Sequence, residues 1–257
     1  MTLLWEYGLK KTINKARARL LSRLIRFRDT GLPDQFVTSQ YGVRMKANWS
    51  DRTFQYAYFA TYGRALSDLI STRQEPFVFL DVGANQGLYS LIAARNPACA
   101  QVIALEPVAA TFARLEENIL ANQATQILPV RAALSRSCGE SRMRFHAGHS
   151  GAATLIVDGD GETGGETVRL IPAASLQTLI PDGLPILVKV DVEGHEEIVI
   201  AELASAAFAS RIASLCYEID ERWSDPQRIE AILRGAGFTR FEKAGIGRHY
   251  DVIARKC

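Results

Sequence analysis

The chain is short of several things. It has four cysteines in 257 residues, Cys99, Cys138, Cys216 and Cys257, and no C-x-x-C pair among them. That spacing argues against a zinc site and a dense disulfide framework, and it fits a reducing compartment best. No apolar run comes near the roughly 18 residues of a membrane span. The N-terminus lacks the uninterrupted apolar core of a secretory signal, so a cytoplasmic protein is expected. Net charge is only +2, so the chain is no polycation. Acidic residues are missing where cations gather: Gly8 to Arg28 holds eight Lys and Arg and no Asp or Glu.

In that stretch Ile13, Leu20 and Leu24 share one helical face, with Ala16 between the first two and arginines around it. Such a helix suits an anionic membrane surface, an organellar targeting peptide, or packing on its own domain. Peripheral membrane contact through Gly8–Arg28 is one expectation. No aromatic-rich RNA motif accompanies the charge, so nucleic acid is not an expected partner.

A composition that is 47% hydrophobic over this length supports one large domain with an appendage. Gly31-Leu-Pro33 breaks the first helix, and Tyr41, Val43 and Met45 alternate as in a short strand. The aromatic-rich Arg52–Ile70 reads as helical in its later part. Ser71–Pro76 looks like a linker. From Phe77 onward apolar strands alternate with helical patterns: FVFL, QVIALEP, ILPVRAALS (Ile127–Ser135), PILVKVDV and IASLCYEID. Alternation of this kind implies an α/β fold, a doubly wound parallel sheet with helices on both faces. TRFEKA and HYDVIARK form a terminal hairpin. Gly139–Leu176 departs from the rhythm and reads as a β insertion around the acidic, glycine-rich DGDGETGGE. That loop lacks the ligand order of an EF-hand.

Ligands of open α/β sheets bind beyond the carboxyl ends of the strands. The residues standing there are Asp81, Glu106, Asp191 and Glu218. Gly83 and Gly87 permit a tight turn after Asp81. Glu106 follows Gly83 at the spacing of an acid that grips a ribose diol. Dinucleotide folds need G-x-G-x-x-G to cradle a pyrophosphate. Here the pattern is Asp81-x-Gly83-x-x-x-Gly87, and an acid at the turn repels a pyrophosphate. It suits a ligand carrying an amine or a sulfonium, which favours S-adenosylmethionine over NAD. The turn VKVDVEGHEE crowds Asp191, Glu193, His195 and Glu196, a set suited to proton abstraction or to holding a divalent ion. It could also favour the start of the next helix. Asn118 and Asn122 read as structural.

DVGANQGLYS, ALEPVAATFARLEENILAN, AALS, VKVDVEGHEEIVI and CYEID together resemble the FkbM family of S-adenosylmethionine-dependent methyltransferases, over roughly Tyr41 to Phe238. The resemblance implies a class I methyltransferase fold, Rossmann-like, with a seven-stranded sheet whose last strand is antiparallel. The linker and the insertion divide the chain into 1–74, a basic helix and accessory α/β segment, and 75–257, the methyltransferase domain with an insertion at about 139–176. The resemblance places Asp81, Gly83, Asn85 and Gly87 at the cofactor's methionine end and Glu106 on its ribose. Pro107 and Val108 fall near the adenine, and Ser135 closes that side. Asp191, Glu193 and His195 are the candidate bases at the transfer centre. No metal is required; a metal-assisted variant would use Asp191 and Glu218. The expected acceptor is a hydroxyl on a sugar, glycan, lipid or natural product. The sequence departs from the family at Gln177, where an acid is usual, and at Asp220, where many members carry His. A nucleotide-dependent oxidoreductase and a non-catalytic membrane-surface protein are the alternatives.

Overall fold

The computed structural model describes residues 35–146, 148–155 and 165–256. The basic stretch Gly8–Arg28 and the acidic loop at 156–164 lie outside the described residues. Among the described residues, no helix is long and apolar enough to cross a membrane.

The strands run β1 (Phe36–Thr38), β2 (Arg44–Lys46), β3 (Phe77–Val82), β4 (Cys99–Leu105), β5 (Ile127–Val130), β6 (Ala133–Leu134), β7 (Gly139–His146), β8 (His149–Leu155), β9 (Glu166–Ile171), β10 (Ile186–Val190), β11 (Ile212–Asp220), β12 (Arg240–Ala244) and β13 (His249–Arg255). The helices are α1 (Arg52–Tyr58), α2 (Arg64–Ser71), α3 (Leu88–Arg95), α4 (Ala109–Ala121), α5 (Glu196–Ser205) and α6 (Pro226–Gly235). Seven strands form one sheet in the order β12-β13-β11-β10-β3-β4-β5. β11, β10, β3, β4 and β5 are parallel, and β13 runs against both β11 and β12. This is the expected class I methyltransferase sheet, with the reversed strand supplied by the terminal hairpin.

Period-2 geometry sorts the strand residues onto two faces. Val78, Leu80, Ile103, Val188 and Val190 pack with Val199, Leu203 and Leu233 of α5 and α6. Phe77, Phe79, Val102, Leu187 and Cys216 pack on the other face with Leu91 of α3, and with Val43, Met45, Phe54 and Ile70 of the N-terminal segment. Asp81 and Lys189 follow Phe79 and Leu187 by two residues. They are direct cross-strand partners, so both enter that second face at its upper end. β11 and β13 continue the row with Cys216, Glu218 and Asp251. A sheet face that is apolar over most of its length therefore ends in a line of ionisable side chains.

Two local expectations change. Arg52–Ile70 is helical early as well as late, in two short helices separated at Ala60 and Gly63, both at positive φ. A Cβ on Gly63 would lie 1.4 Å from the Tyr89 hydroxyl oxygen, so the break is where α3 packs closest. Ile127–Ser135 is also two strands. Pro129 stays within β5, opposite Ala104 of β4, and beyond Val130 the Ala132 N–H turns back to the Val130 carbonyl (3.0 Å). β6 then leaves the main sheet and joins the insertion in a four-stranded sheet, β6-β9-β7-β8.

Candidate active site

The site begins where β3 and β10 end. Gly83 stands at φ +79°, and a Cβ there would lie 2.0 Å from the Asp191 carbonyl oxygen. The two strand tips touch, and only glycine permits it. Lys189 fastens the same junction. Its ammonium donates to the Gly83 carbonyl and lies 3.3 Å from Asp81 Oδ1 and 3.5 Å from Asp191 Oδ2. The Ser90 hydroxyl donates to the other Asp81 oxygen (2.6 Å). A lone buried cation is too costly to keep, and these two carboxylates hold Lys189 ionised, its pKa raised despite burial.

Asn85, at φ +50°, carries the next turn. Its N–H donates to Glu106 Oε2 (3.0 Å), and the Val108 N–H donates to Oε1 (2.9 Å). Glu106 is buried, and burial pushes its carboxyl up to about 7 in spite of those two donors. A cleft opens above it. Gly83, Asn85, Glu106, Pro107, Asp191, Glu193 and His195 all line this cleft. Its remaining wall includes Met143, Ser150 and Gly151 of the insertion and Thr53 of α1. That wall is built in: Asp51 Oδ1 accepts the Ser150 N–H (2.9 Å) and Oδ2 the Ser150 hydroxyl (2.7 Å). The Gln86 amide also donates to Asp51.

The rest of the expected set stands behind the cleft. Asp81 is fully buried under Lys189. Gly87 precedes α3 at φ +88°, where a Cβ would meet Leu115 at 2.5 Å, so its bareness serves helix packing. The Ser135 hydroxyl lies 3.3 Å from His195 Nε2. Burial pushes the His195 imidazole below its ordinary value, with Arg136 adding to the effect, so the ring is neutral near pH 7. Val108 is buried beside Met143 and Val168. Asn118 and Asn122 bond the β2 backbone through Lys46 N–H (2.7 Å) and Arg44 N–H (2.9 Å), the structural role expected.

On the β11 side the carboxylates crowd. Oxygens of Asp191, Glu193 and Glu218 lie within 4.8 Å of one another. Glu218 Oε1 already accepts the Tyr62 hydroxyl (2.7 Å) and contacts His249 Nε2 (2.6 Å). A cation held there would compete with both. The Tyr62 hydroxyl also reaches Asp251 Oδ1 (3.2 Å). Burial, opposed by Lys189 and reinforced by Glu218 and Asp251, pushes Asp191 up to about 7. Burial and the neighbouring Asp191 push Glu193 up to about 8. Hydrogen bonding to Glu218 raises His249 to about 9, and the same contact holds Glu218 low despite its burial.

Lys189, Tyr62, His249 and Asp251 were not anticipated. Lys189 left a signal, as the one cation in the apolar run PILVKVDV of a strand covered on both faces. The other three left none, since His249 and Asp251 reach Glu218 only through strand pairing and Tyr62 only through packing of the loop between α1 and α2. Asp220, the departure at the end of CYEID, is taken by Arg222 in a two-pronged contact. The imidazole beside Glu218 comes instead from His249, directly across from Asp220 on β13.

The description "Methyltransferase FkbM domain" fits residues 81–240, the span that carries both strand-tip turns. The chain belongs to the FkbM methyltransferase family. Two curated relatives are similar to it. Hexuronic acid methyltransferase AglP of Haloferax volcanii is 32% identical over 141 residues, covering 54% of this chain and 54% of that protein. Methyltransferase sdnD of Sordaria araneosa is 25% identical over 213 residues, covering 72% of this chain and 82% of that one. The chain thus spans about half the length of the archaeal relative. Among solved structures, M. jannaschii TYW2 in complex with AdoMet superposes with a TM-score of 0.51 at 11% identity, covering 88% of this chain and 87% of the other, a likeness of fold.

Proposed function

We propose that this FkbM-family chain is an S-adenosylmethionine-dependent O-methyltransferase acting on a hydroxyl of a sugar, glycan, lipid or natural product. The observation that carries the reading is the buried Glu106 carboxylate beneath a cleft whose far side is the Asp191–Glu193 turn. A carboxylate held by two backbone N–H groups still offers lone pairs to a vicinal diol. Gly83 and Asn85 line the part of the cleft we assign to the methionine tail, and Pro107 the part we assign to the adenine. When bound there, S-adenosylmethionine supplies an electrophilic methyl group. The name of the archaeal relative favours a sugar acceptor.

The chain's own residues then have two tasks. One is positioning: the Lys189 clamp holds the two strand tips, and thus both sides of the site, in one geometry. The other is removing the hydroxyl proton. Asp191 and Glu193, with carboxyls near 7 and 8, are suited to accept it close to neutral pH. His195, neutral and held by Ser135, is the third candidate. We read 75–257 as the methyltransferase unit and 1–74 as its accessory segment.

The test has two parts. Calorimetry should show wild-type binding of S-adenosylmethionine, weakened at least about tenfold in Glu106→Ala, a loss of roughly 1.4 kcal/mol. Labelled-methyl transfer into fractionated extract should then yield an O-methylated product. Equal affinity in wild type and variant removes the cofactor assignment. A labelled nitrogen or carbon product removes the acceptor assignment alone.

A further inference from the structure

Beyond β11 the chain runs Glu221-Arg-Trp-Ser-Asp225 before α6, and Trp223 there is 68% exposed. Single exposed apolar side chains are common on protein surfaces. This one is braced. The Arg222 guanidinium carbon lies 5.0 Å from the ring centroid and is itself pinned by both oxygens of Asp220. The Trp223 N–H donates to the Asp220 carbonyl (2.9 Å). Glu196 ties this loop to the catalytic turn, accepting from the Ser224 hydroxyl (3.2 Å) and the Gly194 N–H (3.1 Å). A Cβ on Gly194 would stand 3.9 Å from the Trp223 Cβ, so the Trp223 side chain leaves the backbone beside the Glu193–Gly194 turn.

The chemistry of this corner is specific. Asp191 and Glu193, which line the cleft, offer carboxyl oxygens that match a ligand bringing several hydroxyls. An indole with one face occupied by a guanidinium presents its other face to apolar C–H groups. A pyranose has both features, hydroxyls at its edge and a C–H face. We propose that Trp223 is the stacking platform for a pyranose ring of the acceptor, placing a ring hydroxyl at the Asp191–Glu193 turn. This rests on the methyl-transfer reading and narrows its acceptor to a hexopyranoside. The braced loop makes the platform rigid before the ligand arrives, which lowers the ordering cost of binding.

The experiment uses the full chain loaded with S-adenosylhomocysteine. Saturation-transfer NMR is recorded with methyl glucopyranoside, methyl galactopyranoside, methyl glucopyranosiduronate and the acyclic control glucitol. Ring C–H groups of a pyranoside should be saturated and glucitol should not. Trp223→Ala should weaken that pyranoside at least about tenfold and Trp223→Phe should restore most of the affinity, while S-adenosylhomocysteine binding stays the same in all three proteins. In methyl-transfer assays Trp223→Ala should raise KM and leave kcat within about twofold. Preference for the uronate marks an acidic acceptor on the same platform. Equal saturation of glucitol, no pyranoside binding, or an unchanged Trp223→Ala overturns the platform while leaving methyl transfer standing. Absence of S-adenosylhomocysteine binding overturns both.

Discussion

The Glu106 cleft and the Glu218 network lie at the same end of one sheet, yet they are assembled in different ways. The cleft's floor comes from a short contiguous piece of chain, β3, its turn, α3 and β4. Its determinants are backbone demands: a positive φ at Gly83 and Asn85, and two N–H groups that need one carboxylate. The network draws Tyr62 from the accessory segment, Glu218 from β11, and His249 and Asp251 from β13. Binding the common part of a cofactor is a local problem. Under the proposed function, the acceptor meets side chains drawn from distant segments.

Lys189 joins the two halves, and its removal is the sharpest way to break the contrast. Lys189→Met leaves Asp81 and Asp191 without their shared cation. Urea unfolding should show a loss of about 3–5 kcal/mol, the usual cost of stripping one partner from a buried pair. A loss below about 1 kcal/mol would mean that the halves stand independently.

The cleft alone is probed by pH. Hydroxyl donors favour ionised Glu106, so cofactor binding releases a proton and affinity rises as pH climbs through about 7. Between pH 5.5 and 7 the rise approaches tenfold per unit at most, then flattens. Glu106→Gln should bind more weakly with no such rise, measured by calorimetry across that range.

The network gives the smallest effect. His249 has its folded pKa raised from an ordinary 6.5 to about 9. Its pairing with Glu218 therefore stabilises fully below about pH 6.5 and is lost as pH rises through about 9. The His249 side chain is 55% exposed, so solvent screening keeps the contribution near 1 kcal/mol or less. His249→Gln should lower Tm by about 2–4 °C at pH 6 and by nothing measurable at pH 10. An equal drop at both pH values would show that His249 packs rather than pairs.

This division also explains what could be read from the sequence. The strands, the reversed final strand and the residues at the tips of β3, β4 and β10 follow from apolar runs, hairpin signals and glycine spacing. Strand termini are local features, so residues beyond them were legible. The early helix in Arg52–Ile70 was missed because its break depends on Tyr89, a contact from another element. The split of Ile127–Ser135 was missed because an apolar run does not reveal which sheet each half joins. His249 and Asp251 were illegible for the same reason, since they meet Glu218 only through the pairing of β13 with β11, and Tyr62 because the loop between α1 and α2 reaches it from outside the sheet. Glycine at 87 was read as a ligand feature, but its space is taken by Leu115.

That strand order has a consequence for how the chain is made. β3 lies inside the sheet between β10 and β4, and one of these neighbours, β4, follows it directly. The other, β10, is made about a hundred residues later. At roughly 5–20 residues per second, one edge of β3 waits roughly 5–20 seconds on the ribosome before its partner exists. During that wait Asp81 keeps its water, and a hydrated carboxylate at the tip of an otherwise sticky apolar edge discourages premature pairing with another chain. Lys189 arrives with β10 itself, so the group that neutralises the edge comes with the strand that covers it.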